Sequence, residues 1–409
     1  LKQPGLQNLL VIGIDATALA VSARRAKHTV YTVDFFGDQD LRRVSRESLS
    51  VITQKPGKSC GLVRADYSPD KLLSLARKLC ASHRIDGTLL ASGLEDSPQV
   101  LEELNDLIPI VGNPIETIRK VRDKPEFFRE LKRLAIPHPE TALARSLEEG
   151  KQAAKDIGYP IVTKPSASLG GTSIRKANNK EEFKKAYKQT AISSREVLVQ
   201  EFVAGDHVSV SLLSSRKGDI RVLTLNEQLL GMRELFPGEP FGYCGNIVPA
   251  LVDDDTVRAC SVLGERIATH FKLVGSNGVD IVVSEGVPNV MEVNPRFQGT
   301  IECVERVLRT SLVDSHVEAC LGNTLPPRGV THNFNSCCIR LILHARERSV
   351  VPNLSDFEEV RDVPLARAIV EKGEPLCSIV VERKTRAAAL EKAKALTRRI
   401  YGAAEPKHH

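Results

Sequence analysis

No run among the 409 residues approaches the eighteen consecutive apolar positions that a membrane-crossing helix needs. Aromatic residues are only 4% of the chain, and no basic stripe with interleaved aromatics occurs, which argues against a nucleic-acid surface. The formal charge of +6 is modest, and lysines alternate with glutamates, as in residues 180–185, in the manner of solvated helix faces. The nine cysteines (60, 80, 244, 260, 303, 320, 337, 338 and 377) are odd in number and contain no CxxC pair. That disfavours a disulfide framework or a zinc site and predicts reduced thiols in a cytoplasmic setting. The chain enters the strand-like Leu9–Ile14 segment without a basic n-region, so no signal peptide is expected. Two glycine signatures are also missing: Gly13-Ile14-Asp15 is not a GxGxxG fingerprint, and no GxxxxGK(S/T) loop occurs.

What is present, 42% hydrophobic residues over 409 positions, suffices for two to four packed domains. Residues 1–113 alternate strand and helix: strands near 9–14, 29–33 and 86–91, helices near 16–27, 69–83 and 96–106. This rhythm predicts an α/β, Rossmann-like domain with a parallel sheet, whose ligands would meet the carboxyl ends of the strands. Asp15, Asp34, Ser92 and Glu95 fall there. A helical connector is predicted over 114–136. A compact unit follows over 137–204, with a helix at 147–157, strands at 160–164, 172–174 and 197–203, and a helix at 180–192. Residues 205–329 read as strands at about 208–214, 220–225 and 279–283 with a long helix at 254–271. Residues 330–409 read as a β-rich piece, with strands at 338–343 and 378–381, closed by a helix over about 387–400.

The most specific pattern is Val290-Met-Glu-Val-Asn-Pro-Arg-Phe-Gln-Gly299 with Asp280 upstream. Residues 278–283 and 289–294 read as two strands of a hairpin, with the turn at 286–288. Side chains repeat every two residues along a strand, so Glu292 and Asn294 share a face, and the turn can return Asp280 beside them. Two carboxylates and an amide oxygen suit Mg²⁺ (or Mn²⁺), normally held by one or two carboxylates plus substrate phosphates. Arg296 can then hold a phosphoryl or carboxylate oxygen. Lys164 ends a strand and precedes the small-residue loop Ser166–Thr172, whose backbone N–H groups could face phosphates. Taken singly, Lys164 and its loop are equally well read as an ordinary turn with a solvated lysine, while Lys124 and the Gln200-Glu-Phe-Val203 strand end are better read as a surface lysine and a plain strand end.

Their order along the chain resembles the ATP-grasp superfamily: a lysine, a lysine with a glycine loop, the Gln-Glu-Phe-Val strand, then Asp…Glu-x-Asn-x-Arg. Gly373-Glu-Pro-Leu376 and residues 385–390 are similar to the C-terminal subdomain of its biotin-carboxylase-like branch. The resemblance implies an α+β ATP-grasp region with a lid (137–204) and a central part (205–329). It further implies that Lys124 and Lys164 contact ATP phosphates under a loop containing Ser166, Ser168, Gly170, Gly171 and Thr172. Gln200, Glu201 and Val203 would line an adenine pocket with His207 near the ribose. Asp280, Glu292 and Asn294 would hold the metal, and Arg296 with Lys164 would act in catalysis. Biotin carboxylases carry Gln-x-Glu after this arginine, the glutamate serving as base toward bicarbonate. Here Gln298 is kept, but Thr300 takes the acid's place and cannot act as that base near neutral pH.

The expected activity is therefore an ATP- and Mg²⁺-dependent carboxylate–amine ligase working through an acyl phosphate. The alternatives are a biotin-type carboxylase, with Glu302 two residues on as a substitute acid, and a nucleotide-binding regulatory protein. Small-molecule acid and amine substrates are the expected partners, without nucleic acid or membrane; dimers are common in the superfamily. Asp15, Asp34, Ser92 and Glu95 are one expected substrate wall. The 233–246 loop, with Arg233 and Asn246, and Gln298 are another. The Asp15, residue 33–36 and residue 40–43 signals resemble a group of predicted ATP-dependent carboligases, which hints at cofactor biosynthesis.

Overall fold

The computed structural model describes residues 6–166, 170–322, 324–326 and 334–406. The N-terminal strands Glu47–Ser50, Thr29–Asp34, Asn8–Ile12 and Gly87–Leu90 form, in that order, a parallel sheet. Strands Thr29–Asp34, Asn8–Ile12 and Gly87–Leu90 were legible as apolar runs. The edge strand Glu47–Ser50 and the short helix Gln39–Val44 before it were not, because their polar residues carry no burial pattern.

Residues 141–201 form a second sheet, antiparallel throughout, in the order Thr141–Ala144, Val197–Glu201, Ile161–Pro165, Arg175–Ala177. Helices Leu147–Ile157 and Lys180–Ala191 pack on it through Ala154, Phe183 and Tyr187. The strand expected over 172–174 is absent. Gly170, Gly171 and Ser173 adopt positive φ (55°, 78° and 59°), which keeps residues 170–173 in turns, and the strand starts only at Arg175.

The largest sheet is antiparallel and eight-stranded. It runs Val287–Asn294, Gly275–Ser284, Asp206–Ser214, Ile220–Leu230, Tyr243–Val248, Cys337–His344, Pro375–Arg383, Val360–Arg361. Strands of the 330–409 stretch thus extend the same sheet as those of 205–329. Helix Asp254–Phe271 covers one face, and helix Arg386–Ala403 packs on the strands of the tail. The hairpin turn lies at Glu285-Gly286, both at positive φ (49° and 78°), one residue before the expected Gly286–Pro288 turn. Val287 and Pro288 already belong to the returning strand, where Pro288 faces Val283. Helix Thr17–Arg25 of the N-terminal unit buries Leu19, Ala20 and Ala23 in one core with Cys303, Val304 and Val307 of helix Ile301–Leu308. That packing brings the carboxyl ends of the parallel strands over the metal-type hairpin.

Candidate active site

A cleft of about 1040 Å³ opens between the N-terminal sheet, the 141–201 unit and the large sheet. In the hairpin Asp280 pairs directly with Glu292, and the register then slips, so that Ile281 faces Val290 and Met291 is the extra residue. This bulge falls beside the acid pair and re-aims its side chains. Asn294 Nδ2 donates to Asp280 Oδ2 at 3.0 Å, while Asp280 Oδ1 is buried without a hydrogen-bond partner. Burial, with the neighbouring Glu292 charge, pushes the Asp280 carboxyl up to about 7. A buried, unpaired carboxylate oxygen beside a second carboxylate is the donor set a divalent cation fits. Among the described residues no cluster of three or more His, Cys, Asp or Glu forms a complete metal cage. The pair suits an ion that also keeps water or phosphate oxygens.

The cations are supplied by helix starts and by neighbours. Asp123 caps helix Lys124–Arg133, its Oδ1 accepting from Glu126 N at 3.1 Å, and this fixes Lys124 at the first turn. Lys124 Nζ lies 2.8 Å from Glu292 Oε2, and Arg122 Nη1 lies 3.5 Å from the same oxygen. Burial works against the Glu292 charge, but Lys124 and Arg122 outweigh it and hold the carboxyl well below its usual range. Lys164 lines the cleft, and burial, partly offset by Glu292, lowers its ammonium to about 8. Arg296 donates from Nε to Glu95 Oε1 at 2.7 Å and from Nη2 to Asn294 Oδ1 at 3.1 Å.

Around this centre the structure places Ser166, Gly170, Gly171, Thr172, Gln200, Glu201, Val203 and His207 on the cleft wall; Ser168 lies outside the described residues. Gln200 is buried, donates to Thr141 Oγ1 at 2.7 Å and leaves its own Oε1 without a partner. Gly170 O accepts from Tyr243 N at 3.1 Å, and a Cβ on Gly171 would stand 2.0 Å from Phe241 O. Arg175 also pairs with Glu239. The loop of the smaller unit is thus closed onto the 237–243 segment.

Of the expected substrate walls, Asp15, Ser92, Asn246 and Gln298 line the cleft. Gln298 packs over bare Gly278 and accepts from Ser211 Oγ at 2.7 Å. Glu95 is there too, but it is buried and engaged with Arg296, so it positions that arginine. Two expectations fail. Asp34 is buried behind the wall, accepting from Phe36 N and Gly37 N to close the turn after its strand. Arg233 is exposed on the Arg233–Leu235 turn and does not reach the cleft. Sequence reading also missed Arg122, which clamps Asp96 at 2.6 and 2.7 Å, and Arg340, which clamps Asp15 and Asp362 at 2.8 and 2.7 Å. A charged residue inside the apolar run 338–343 was the available signal for Arg340.

Residues 121–300 match the sequence family described as the ATP-grasp domain. Over those residues the chain is similar to an ATP-grasp domain. It is 25% identical over 389 residues to an uncharacterised protein of Methanocaldococcus jannaschii, covering 91% of this chain and 88% of that one. It is 28% identical over 225 residues to the carbamoyl phosphate synthase large chain of Thermomicrobium roseum, over 54% of this chain but 20% of that one. The biotin carboxylase domain of Hydrogenobacter thermophilus 2-oxoglutarate carboxylase, solved with MgADP and bicarbonate, superposes with a TM-score of 0.76. That match covers 96% of this chain and 90% of the other at 15% identity, a likeness of fold. The ATP-grasp similarity accounts for the hairpin, both lysines and the 141–201 unit, and the fold likeness extends over the N-terminal sheet and the tail.

Proposed function

We propose that the protein is an ATP- and Mg²⁺-dependent carboxylate–amine ligase acting on small metabolites through an acyl phosphate. The observation that carries this reading is the Asp280–Glu292 pair, with its unpartnered buried oxygen, facing Lys124, Lys164 and Arg296 across one cleft. Asp280, Glu292 and Asn294 would hold the metal, which when bound supplies charge neutralisation to phosphate oxygens. The chain's own residues do the rest. Lys124 and Lys164 take the ATP phosphates, and Gln200, through its free side-chain oxygen, accepts from the base. Arg296, held in place by Glu95, receives the negative charge of the transferring phosphoryl group. A carboxylate oxygen attacks the γ-phosphorus, ADP leaves, and an amine then displaces phosphate to give the amide. Closure of the 170–173 segment keeps water from the acyl phosphate.

Carboxylation of the biotin-carboxylase type fits less well. The one acid near position 300 that could replace the missing base is Glu302, and it is already engaged. It accepts from Arg306 Nη2 at 2.7 Å and Arg361 Nε at 3.0 Å; burial opposes its charge, but the two arginines hold its carboxyl below the usual range. The test is a screen for ADP and phosphate release over amino acids and coenzyme precursors, with Glu292→Ala as control. Release that needs both an acid and an amine and vanishes in the control is expected. Release driven by bicarbonate alone contradicts the reading.

A further inference from the structure

The cleft is polarised along its length. Lys124, Lys164, Arg122 and Arg296 gather around Glu292 at one end. Farther along, where Arg64 and Lys372 also line the wall, the buried guanidinium of Arg340 meets two carboxylates. Its Nη2 donates to both Asp15 Oδ2 at 2.8 Å and Asp362 Oδ2 at 2.7 Å, and to Ser378 Oγ at 3.3 Å; its Nη1 donates to Gly299 O at 2.9 Å. Two carboxylates on one guanidinium leave a surplus negative charge facing the cleft. Asp38, held by Gln54 Nε2 at 2.9 Å, lines the same cleft, but burial and the neighbouring carboxylates push its carboxyl well above the usual range, so it adds little charge.

An acidic rim alone could simply be the counter-charge that keeps a buried arginine in place. A second feature speaks for a ligand. Thr300 is only 2% exposed, lines the cleft directly after Gly299, and its hydroxyl has no hydrogen-bond partner. A buried hydroxyl without a partner costs on the order of 1–3 kcal/mol unless something arrives to bond it. Asp362 Oδ1 is likewise buried without a partner. Asp362 bonds the Arg340 guanidinium directly, and Thr300 follows Gly299, whose carbonyl accepts from Arg340 Nη1. The threonine at this position thus offers an unpartnered hydroxyl to the same cleft that Asp362 lines.

We propose that the amine substrate enters as a primary ammonium seated by Asp15, Asp362 and the Thr300 hydroxyl, and gives up one proton to a carboxylate of that pair before its lone pair attacks. This rests on the ligase reading above and names the class of one of its substrates. An ammonium group carries three donors and one positive charge, which matches two carboxylates and a hydroxyl around a single arginine. An anionic acid is repelled from this end and drawn to the Lys124–Arg296 end, so the polarity also sets the order of the two substrates along the cleft. Burial together with Asp15 pushes the Asp362 carboxyl up to about 7, against the pull of Arg340.

The experiment titrates the full chain, with and without saturating MgADP, with propylamine and 1,3-diaminopropane against 1-propanol and propionate. Binding is followed by saturation-transfer NMR. Ammonium probes are expected to bind at least about tenfold more tightly than the neutral and anionic probes. Asp15→Asn and Asp362→Asn should each weaken them by about tenfold or more while leaving MgADP affinity unchanged. Equal binding of propanol or propionate, or undiminished amine binding in both variants, overturns the proposal. Should Asp362→Asn not fold, Asp15→Asn and the wild-type probe series still decide. Protein that binds MgADP without preferring amines fails this proposal alone. Protein that binds no MgADP fails the ligase reading instead.

Discussion

At the scale of single residues, the account rests on a carboxylate pair whose two members live in opposite environments. Glu292 is held charged by Lys124 and Arg122, whereas Asp280 is buried with one oxygen unpartnered. Conservative loss of either oxygen set should remove turnover and spare the fold. Glu292→Gln and Asp280→Asn are expected to lower kcat/KM by at least about a hundredfold, a typical cost of removing one group that neutralises transition-state charge. The unfolding midpoint of Asp280→Asn should stay near the parent value, whereas Glu292→Gln should lower it, because the buried Lys124 and Arg122 lose their counter-charge. A variant with parental turnover removes the metal assignment. This pair was legible in the sequence because an acid, acid, amide, base spacing maps onto two strands of one hairpin. Arg340 and Arg122 were not legible, since their partners Asp15, Asp362 and Asp96 reach them only through tertiary packing. Asp34 misled for a related reason: a carboxylate at a strand's end closes turns as readily as it binds ligands.

At the scale of elements, the closed loop and the clamp between domains carry separate predictions. Gly171 has φ of 78°, and a Cβ would stand 2.0 Å from the Phe241 carbonyl oxygen. Gly171→Ala should therefore keep the 170–173 turn from seating on the 237–243 segment. The expected result is a lower kcat/KM with faster proteolysis of the loop, at little cost in global stability. Unchanged kinetics would show that closure does not matter. Arg122 is a structural clamp of a different kind: it is buried, bonds Asp96 through two nitrogens and also donates to Val293 O at 3.3 Å. Arg122→Met leaves Asp96 unpaired and should cost about 3–5 kcal/mol in urea unfolding. The long elements could be read from their periodicity, and helices Leu147–Ile157 and Asp254–Phe271 match their predicted spans. The lid strand after Gly171 could not, because three positive-φ residues, including Ser173, are a property of the folded loop.

At the scale of the whole molecule, the units are held together by buried polar contacts that respond to acid. His316 accepts from Ser276 N and reaches Val111 O, both at 2.8 Å, joining the large sheet to the N-terminal unit. His344 lies 3.2 Å from Leu235 O. Burial holds both imidazoles neutral, lowering each to about 4 from the ordinary 6.5. A group protonated more readily in the unfolded chain costs stability as pH falls. The histidines' contribution should be intact above about pH 6.5, decline toward pH 4 by on the order of 3 kcal/mol per histidine, and then level off, while the raised carboxyls of Asp280 and Asp362 act in the opposite sense. Urea midpoints across that range test this, and His316→Gln should flatten part of the slope. A pH dependence in His316→Gln identical to the parent's contradicts it.

The central claim is that γ-phosphate goes from ATP to a carboxylate, and an acyl phosphate can be trapped. The direct measurement is MgATP-dependent hydroxamate formation in the presence of hydroxylamine and pooled metabolite carboxylates. The account predicts a hydroxamate from one acid, formed in step with ADP and lost in Glu292→Gln. ADP formation that depends on bicarbonate and yields no hydroxamate would contradict it.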